Sequence, residues 1–167
     1  MPGPIFQFLA GDHARLDALL MRAVAEVDAE AFAAFREGLL RHIALEEKFL
    51  FPAARLALGG EPLPLARRLR VDHGAIAALL VPTPTQEIAR ELWKVLSPHN
   101  DLEEGGGGIY ELCDSLLNAE APALLERMLK YPPVKVAHYR DGPRVCRTAE
   151  EALSISALQS GGGPKLS

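Results

Sequence analysis

The sequence HIALEE begins at His42, and the similar sequence HNDLEE begins at His99. In each, the first glutamate follows the histidine by four residues, at Glu46 and at Glu103. Side chains four residues apart share one face of an α-helix. Both pairs also continue a row of apolar residues spaced by three and four. The sequence therefore predicts two amphipathic helices that each carry a histidine and a carboxylate on the apolar face.

Two further helical segments each contain an Asp-His dipeptide, Asp12-His13 in one and Asp72-His73 in the other. Their histidines also lie in apolar rows, with apolar residues at steps of three and four. The chain thus consists of two similar halves, each with an Asp-His segment followed by a His-x-x-x-Glu segment. Four such helices with short connections predict an all-α, antiparallel up-down-up-down four-helix bundle.

A small C-terminal appendage, residues 131–167, follows the predicted bundle of residues 1–130. Apolar and polar residues alternate on both sides of Asp141-Gly142, which predicts a β-hairpin. A threonine with a glutamate three residues later predicts the start of a short helix. The glycine-rich end is typical of a flexible tail. The expected hairpin and short helix cover residues 134–147 and 148–158.

Composition and charge exclude several classes of function. The chain has 167 residues, 49% of them hydrophobic, and a formal net charge of -4. It has no Lys/Arg-rich run, so no nucleic-acid partner is expected. No apolar run of 18 residues exists, so no membrane span is expected. The N-terminal sequence lacks the pattern of a secretory signal, and two cysteines do not make a disulfide framework, so we expect a cytoplasmic protein.

The inward histidines and glutamates together indicate a metal site. A single histidine in an apolar row is most often a core residue, but here four of the chain's five histidines share such rows with two glutamates. Burying an unpaired carboxylate costs several kcal/mol, and the apolar faces carry no Lys or Arg to offset that cost. A metal ion is the simplest cation for this place. The candidate ligands are His13, His42, Glu46, His73, His99 and Glu103.

Two metal ions suit this ligand set better than one. Four imidazoles and two carboxylates exceed the four ligands of a tetrahedral site. Two bridging glutamates would supply each ion with two nitrogens and two oxygens, which leaves a position for an exogenous molecule. Mixed imidazole and carboxylate ligands suit iron, with manganese or zinc also compatible, and argue against magnesium or calcium.

The same motifs resemble the bacterial hemerythrin-like family with HHE cation-binding motifs. The resemblance rests on Asp-His followed by HIALEEKFLFP, then Asp-His followed by HNDLEE, and it covers about residues 8–118. It implies a non-haem di-iron centre, with two iron ions inside a four-helix bundle. In that centre the terminal ligands would be His13, His42, His73 and His99, and the bridging carboxylates would be Glu46 and Glu103.

One departure from the family bears on function. Oxygen-carrying hemerythrins have a second histidine one turn after the third-helix ligand, whereas this chain has Ala77 there. The resemblance therefore implies an open metal position that binds or senses oxygen, nitric oxide or peroxide, rather than reversible oxygen carriage. Two alternatives stay open: a di-iron redox enzyme of the oxidase or peroxidase kind, and an iron donor for iron-sulfur repair.

Residues beside the ligands allow two interpretations. Glu47 and Glu104 follow the bridging glutamates by one position, so they are expected to be solvated or to contact a ligand. Asp12 and Asp72 precede histidines by one position, so each either bonds an imidazole on a neighbouring helix or forms an exposed helix charge.

Four consecutive glycines, Gly105 to Gly108, follow the second His-x-x-x-Glu pair. Three roles are consistent with the sequence: a bulge that absorbs an insertion and restores the apolar row from Tyr110 onwards, a break that opens a path to the metals, or a surface for close packing. The spacing favours the bulge, whereas the break that opens a path to the metals is the role we expect on functional grounds.

Overall fold

A computed structural model describes residues 1–161, and every regular element in that range is helical. The predicted all-α class is therefore confirmed, while the up-down-up-down order stays a prediction. None of the described helices combines the length and the apolar character needed to cross a membrane. The predicted flexible tail, beyond residue 161, lies outside the described residues. The helices are α1 Pro4–Glu26, α2 Ala29–Leu45, a π-helix Glu46–Leu50, α3 Phe51–Ala57, α4 Ala66–Leu79, α5 Gln86–Glu104, α6 Ile109–Leu116, α7 Ala121–Leu129 and α8 Ala149–Ser160.

The chain divides into two compact units. Unit 1 comprises Met1–Pro64 and Asn100–Val136, and unit 2 comprises Leu65–His99 and Ala137–Ser167. Helix α5 passes from unit 2 into unit 1 after His99.

Unit 1 is built around α1, which packs against α2, α6 and α7. The apolar rows predicted for α1 and α2 form its core, where Leu9 and Phe35 are fully buried. In both helices a carboxylate accepts backbone N–H groups of the first turn, which otherwise lack partners within the helix. Asp28 caps α2 by accepting from Ala31 N at 3.0 Å. Asp114 of α6 accepts from the first turn of α1, including Ile5 N at 2.9 Å.

Unit 2 is built on α4, which packs against α8. The two helices approach closely at Gly74, where an added Cβ would lie 2.3 Å from the Ser156 hydroxyl oxygen. That hydroxyl donates to the backbone oxygen of Val71 at 2.7 Å. Helix α8 stands where a short helix was predicted, and Thr148 accepts from Glu151 N at 3.2 Å to cap it.

The β-hairpin predicted over residues 134–147 is not found, since residues 1–161 contain no strand. The segment instead bonds to the loop between α4 and α5. Arg140 N donates to the oxygen of Val81 at 2.9 Å. Asp141 accepts from the backbone and the hydroxyl of Thr83 at 3.1 Å and 2.7 Å. Asp141 thus uses its carboxylate to hold a neighbouring loop, and Gly142, at φ 136°, turns the chain without pairing two strands.

The two halves of the repeat continue differently after their glutamates. In the first half, the helix runs on through the π-helix Glu46–Leu50 into α3. In the second, α5 ends at Glu104 and α6 begins at Ile109. The bulge favoured at Gly105 to Gly108 is therefore wrong. These glycines separate two helices, and the π-helix lies in the first half of the repeat. Gly107 adopts φ 73°, the left-handed conformation that ends a helix and favours glycine.

Candidate metal centre

Four of the six predicted ligands converge inside unit 1. Each offers one ligand atom, and these atoms all lie within 4.8 Å of one another. All four side chains are buried, and both glutamates are 0% exposed. They are His13 of α1, His42 of α2, Glu46 of the π-helix and Glu103 of α5.

The helical periodicity of the sequence explains why each of these side chains lies on the buried face of its helix. His13 belongs to the row of buried residues along α1, as His42 does in α2. His42 and Glu46 lie one turn apart across the junction of α2 with the π-helix, and the His42 Nε2 atom is 3.3 Å from Glu46 Oε1. Glu103 reaches the same place from the last turn of α5, with its Oε2 atom 3.5 Å from His13 Nε2.

Two further carboxylates hold the Nδ1 atoms of these histidines. His42 Nδ1 donates to Asp12 Oδ2 at 2.9 Å, and His13 Nδ1 contacts Glu104 Oε1. A hydrogen bond at Nδ1 directs Nε2 towards the cluster, which is how ligand-binding imidazoles are usually oriented. Arg15 donates to Asp12 at 2.8 Å. Partial burial acts to raise the pKa of Asp12, but the bonds with His42 and Arg15 outweigh it and lower that pKa.

The remaining two predicted ligands, His73 and His99, come together in unit 2. Both are buried, and their ring centroids are 4.8 Å apart. His99 Nδ1 donates to Asp72 Oδ2 at 3.2 Å, and Asp72 also accepts from Arg68 at 3.0 Å. This repeats the bond between Asp12 and His42 in the first half. Of the two roles open to both aspartates, the imidazole-bonding one is therefore the one observed.

The two glutamates that follow the bridging positions, Glu47 and Glu104, are both half-buried. Glu104 contacts His13, so it orients a ligand. Glu47 is half-buried in the π-helix. His138, the only histidine outside the repeat, is exposed in unit 2.

Tyr110, which the sequence indicated only as a core residue, reaches the centre of the unit 1 cluster. Its hydroxyl donates to Glu46 Oε1 at 2.5 Å and lies 3.0 Å from Glu103 Oε2. The same oxygen is 3.2 Å from His42 Nε2 and 3.3 Å from His13 Nε2. Burial and the two carboxylate charges raise the pKa of Tyr110 well above its usual value. The predicted recovery of the apolar row after the glycines was the only sequence signal for this residue.

Two buried carboxylates, Glu46 and Glu103, affect the protonation of the groups around them. Burial acts to lower the pKa of His42, but the charge of Glu46 and the hydrogen bonds with Asp12 and Glu46 raise it to about 10. Burial, together with the charges of Glu46, Asp114 and Glu103, raises the pKa of Cys113 to about 12, so this thiol stays neutral in the core. The charge of Glu46 and these hydrogen bonds together outweigh burial at His42, whereas at Cys113 burial and the nearby carboxylates act in the same direction.

The donor set fits a transition-metal ion. It offers two imidazole nitrogens, oriented by carboxylates at Nδ1, and two buried carboxylates. Neutral imidazole with carboxylate oxygen is a ligand set for iron, manganese or zinc. A cation among these atoms would neutralise the glutamates and take the place of the proton that the high pKa assigns to His42.

Comparison with known protein families agrees with this geometry. Residues 5–106 match the family described as hemerythrin HHE cation binding domain. The chain belongs to the hemerythrin HHE family. The match includes all six predicted ligands, and the family membership establishes cation binding as the general property of this domain. No curated protein and no solved structure matches the chain significantly.

Proposed function

We propose that this hemerythrin HHE protein holds a non-haem di-iron centre that binds or senses oxygen, nitric oxide or peroxide. The observation that carries the proposal is the buried convergence of His13, His42, Glu46 and Glu103 within 4.8 Å. These residues would hold one iron ion, and iron supplies the affinity for diatomic molecules and peroxide. Manganese or zinc would fit the same ligand chemistry.

A second ion is proposed from the internal repeat. His73 and His99 would supply its nitrogen ligands, and Glu46 and Glu103 would bridge the two ions. Support comes from the equivalence of the two halves, since His99 bonds Asp72 through Nδ1 just as His42 bonds Asp12. That bond directs Nε2 of each imidazole away from its aspartate, towards a ligand position.

The surroundings of the ligands favour a resident ion over one that is readily given away. His42 is 1% exposed and both bridging glutamates are 0% exposed, so a chelator has no direct access to them. An iron donor needs accessible or exchangeable ligands. Ligand binding or redox turnover at a retained centre is therefore the role we propose, ahead of iron donation to other proteins.

The roles of the chain's own residues follow from their contacts. Asp12 and Glu104 keep the Nε2 atoms of His42 and His13 directed into the cluster. The apolar core around them excludes bulk water, which strengthens the interaction of the carboxylates with any cation. Ala77, in place of an imidazole, would leave room for the exogenous ligand.

The test is reconstitution with iron(II) in the absence of oxygen, followed by elemental analysis and an optical spectrum before and after exposure to oxygen or nitric oxide. We expect about two iron ions per chain and a spectral change when the small molecule is added. No more than one tightly bound ion would refute the di-metal assignment. An unchanged spectrum at full occupancy would refute the ligand-binding role.

Two histidine variants provide a matched control. His42→Ala removes a buried member of the cluster, whereas His138→Ala removes the exposed histidine outside the repeat. Iron content should fall in the first variant and stay at the wild-type value in the second. Equal iron content in both variants would show that the metal binds elsewhere.

A further inference from the structure

Tyr110 lies outside the family match, which ends at residue 106, yet its hydroxyl is surrounded by the metal-binding cluster. Four candidate ligand atoms lie between 2.5 and 3.3 Å from the tyrosine oxygen. They are the Nε2 atoms of His13 and His42, Oε1 of Glu46 and Oε2 of Glu103, and all belong to unit 1.

These distances are those between neighbouring ligands of one metal ion. Two ligand atoms at right angles, each about 2.1 Å from the ion, lie about 3.0 Å apart. The distances from the tyrosine oxygen to the four surrounding atoms, 2.5, 3.0, 3.2 and 3.3 Å, lie around this value. Its place in the cluster is thus that of a fifth ligand, adjacent to each of the other four.

The packing of the ring keeps the hydroxyl in this position. Tyr110 is 0% exposed, and Phe6 packs against it edge to face, with ring centroids 6.1 Å apart and an interplanar angle of 89°. Helix α6, which carries Tyr110, packs against α1, which carries His13. The phenol therefore cannot turn out into water when a cation enters, and must either bind the ion or lie against it.

We propose that Tyr110 is a metal ligand of this centre, bound as a phenolate. On binding, the bond between the phenol oxygen and its proton breaks, an oxygen–metal bond forms, and one proton leaves to solvent. No electron is transferred in this step. The inference rests on the proposed function, because it requires iron at the cluster.

A phenolate bound to iron(III) has a charge-transfer band in the visible spectrum, whereas a phenol that only donates a hydrogen bond has none. The experiment loads the full chain with saturating iron, oxidises it to iron(III) with ferricyanide, removes the oxidant, and records the spectrum together with iron content. Tyr110→Phe keeps the ring and removes the ligand atom. We expect this variant to lose the band while it retains iron, because the histidines and glutamates remain.

Tyr131→Phe is the matched control, since Tyr131 also lies in unit 1 but its hydroxyl accepts from Lys48, at 2.9 Å, outside the cluster. This variant should keep the band at wild-type intensity. A band that persists in Tyr110→Phe would overturn the assignment. Wild-type protein that holds iron(III) without the band would overturn it too, and would leave the proposed iron binding intact.

Resonance Raman spectroscopy of wild-type protein decides the question even if Tyr110→Phe fails to fold. Excitation in the band should enhance tyrosinate ring vibrations, and incorporation of ring-deuterated tyrosine should shift them. The Tyr131→Phe protein should give the same spectrum. Absence of enhanced ring vibrations in iron-loaded protein would refute phenolate ligation. Absence of iron on elemental analysis would refute the proposed function as well.

Discussion

Substitutions in the glycine loop between α5 and α6 test which backbone conformation and which close contacts the helix break beside the candidate metal site requires. Gly106 has no positive φ, and an added Cβ would meet nothing within 4 Å. Gly107 has equal space but adopts φ 73°. Alanine should therefore be tolerated at Gly106 and strained at Gly107, although the two positions are adjacent and the substitution is identical.

The difference between the two variants has a calculable size. At a compatible site, replacing glycine by alanine stabilises a protein by about 0.4–1 kcal/mol, because the unfolded chain loses freedom. A left-handed conformation costs a residue with a Cβ about 1–2 kcal/mol. The unfolded-state gain is common to both variants and cancels. We therefore expect Gly107→Ala to be less stable than Gly106→Ala by about 1–2 kcal/mol, or by roughly 2–8 °C in Tm for a chain of this size.

Gly108→Ala should be the most damaging member of the series. Its Cβ would lie 2.7 Å from the backbone oxygens of Glu103 and Gly105 and 2.9 Å from that of Leu102. Backbone atoms cannot give way as a flexible side chain can, so a cost of about 1–3 kcal/mol is expected, with displacement of the chain two residues before Tyr110.

The assay is denaturant unfolding of metal-free protein for all three variants, followed by unfolding of the iron-loaded forms. Equal stability of Gly106→Ala and Gly107→Ala would refute the left-handed conformation at Gly107. A stable Gly108→Ala variant with wild-type iron content would show that the close approach to the carbonyl oxygens is not required.

Three further predictions concern single contacts. Glu46→Ala should lower both the iron occupancy and the Tm of iron-loaded protein, because metal binding contributes to folding stability. Glu47→Ala should leave the iron content, measured by elemental analysis, unchanged. Equal losses of iron in the two variants would show that the wrong glutamate has been assigned. Asp12→Asn should weaken metal binding about 10–100-fold in a chelator competition assay, because the charged partner of a ligand imidazole is lost, and unchanged affinity would contradict its orienting role. Gly74→Ala should destabilise the packing of α4 on α8, because its Cβ would meet the Ser156 hydroxyl at 2.3 Å. Thermal unfolding should show that the double variant with Ser156→Gly regains part of the lost Tm. A double variant that regains none would place the strain elsewhere.

The sequence alone determined the helical class and the cation-binding family. Its periodicity is a local property, since residues spaced by three and four share a helix face whatever surrounds the helix. His42 and Glu46 illustrate this, because both belong to one helical row and both are buried. The doubled order of Asp-His and His-x-x-x-Glu was likewise readable without coordinates, and so was the capping of α8 by Thr148.

Local patterns also misled where backbone bonding was decided by distant segments. Alternation around Asp141 predicted a hairpin, but the carboxylate bonds Thr83, which is 58 residues earlier in the chain. The spacing of the glycines favoured a bulge over a break, yet they break the helix, and the π-helix lies at Glu46–Leu50. Neither outcome could be read from spacing, because each depends on which backbone groups the packed chain brings within hydrogen-bonding distance.

Only the tertiary structure decided which neighbours complete the candidate site. The sequence left Glu104 either solvated or in contact with a ligand, and packing places its carboxylate against His13. Tyr110 read as one more core residue until packing placed its hydroxyl among four ligand atoms. Periodicity specifies which face of a helix is buried, whereas the identity of the atoms that meet there depends on how helices distant in sequence pack together.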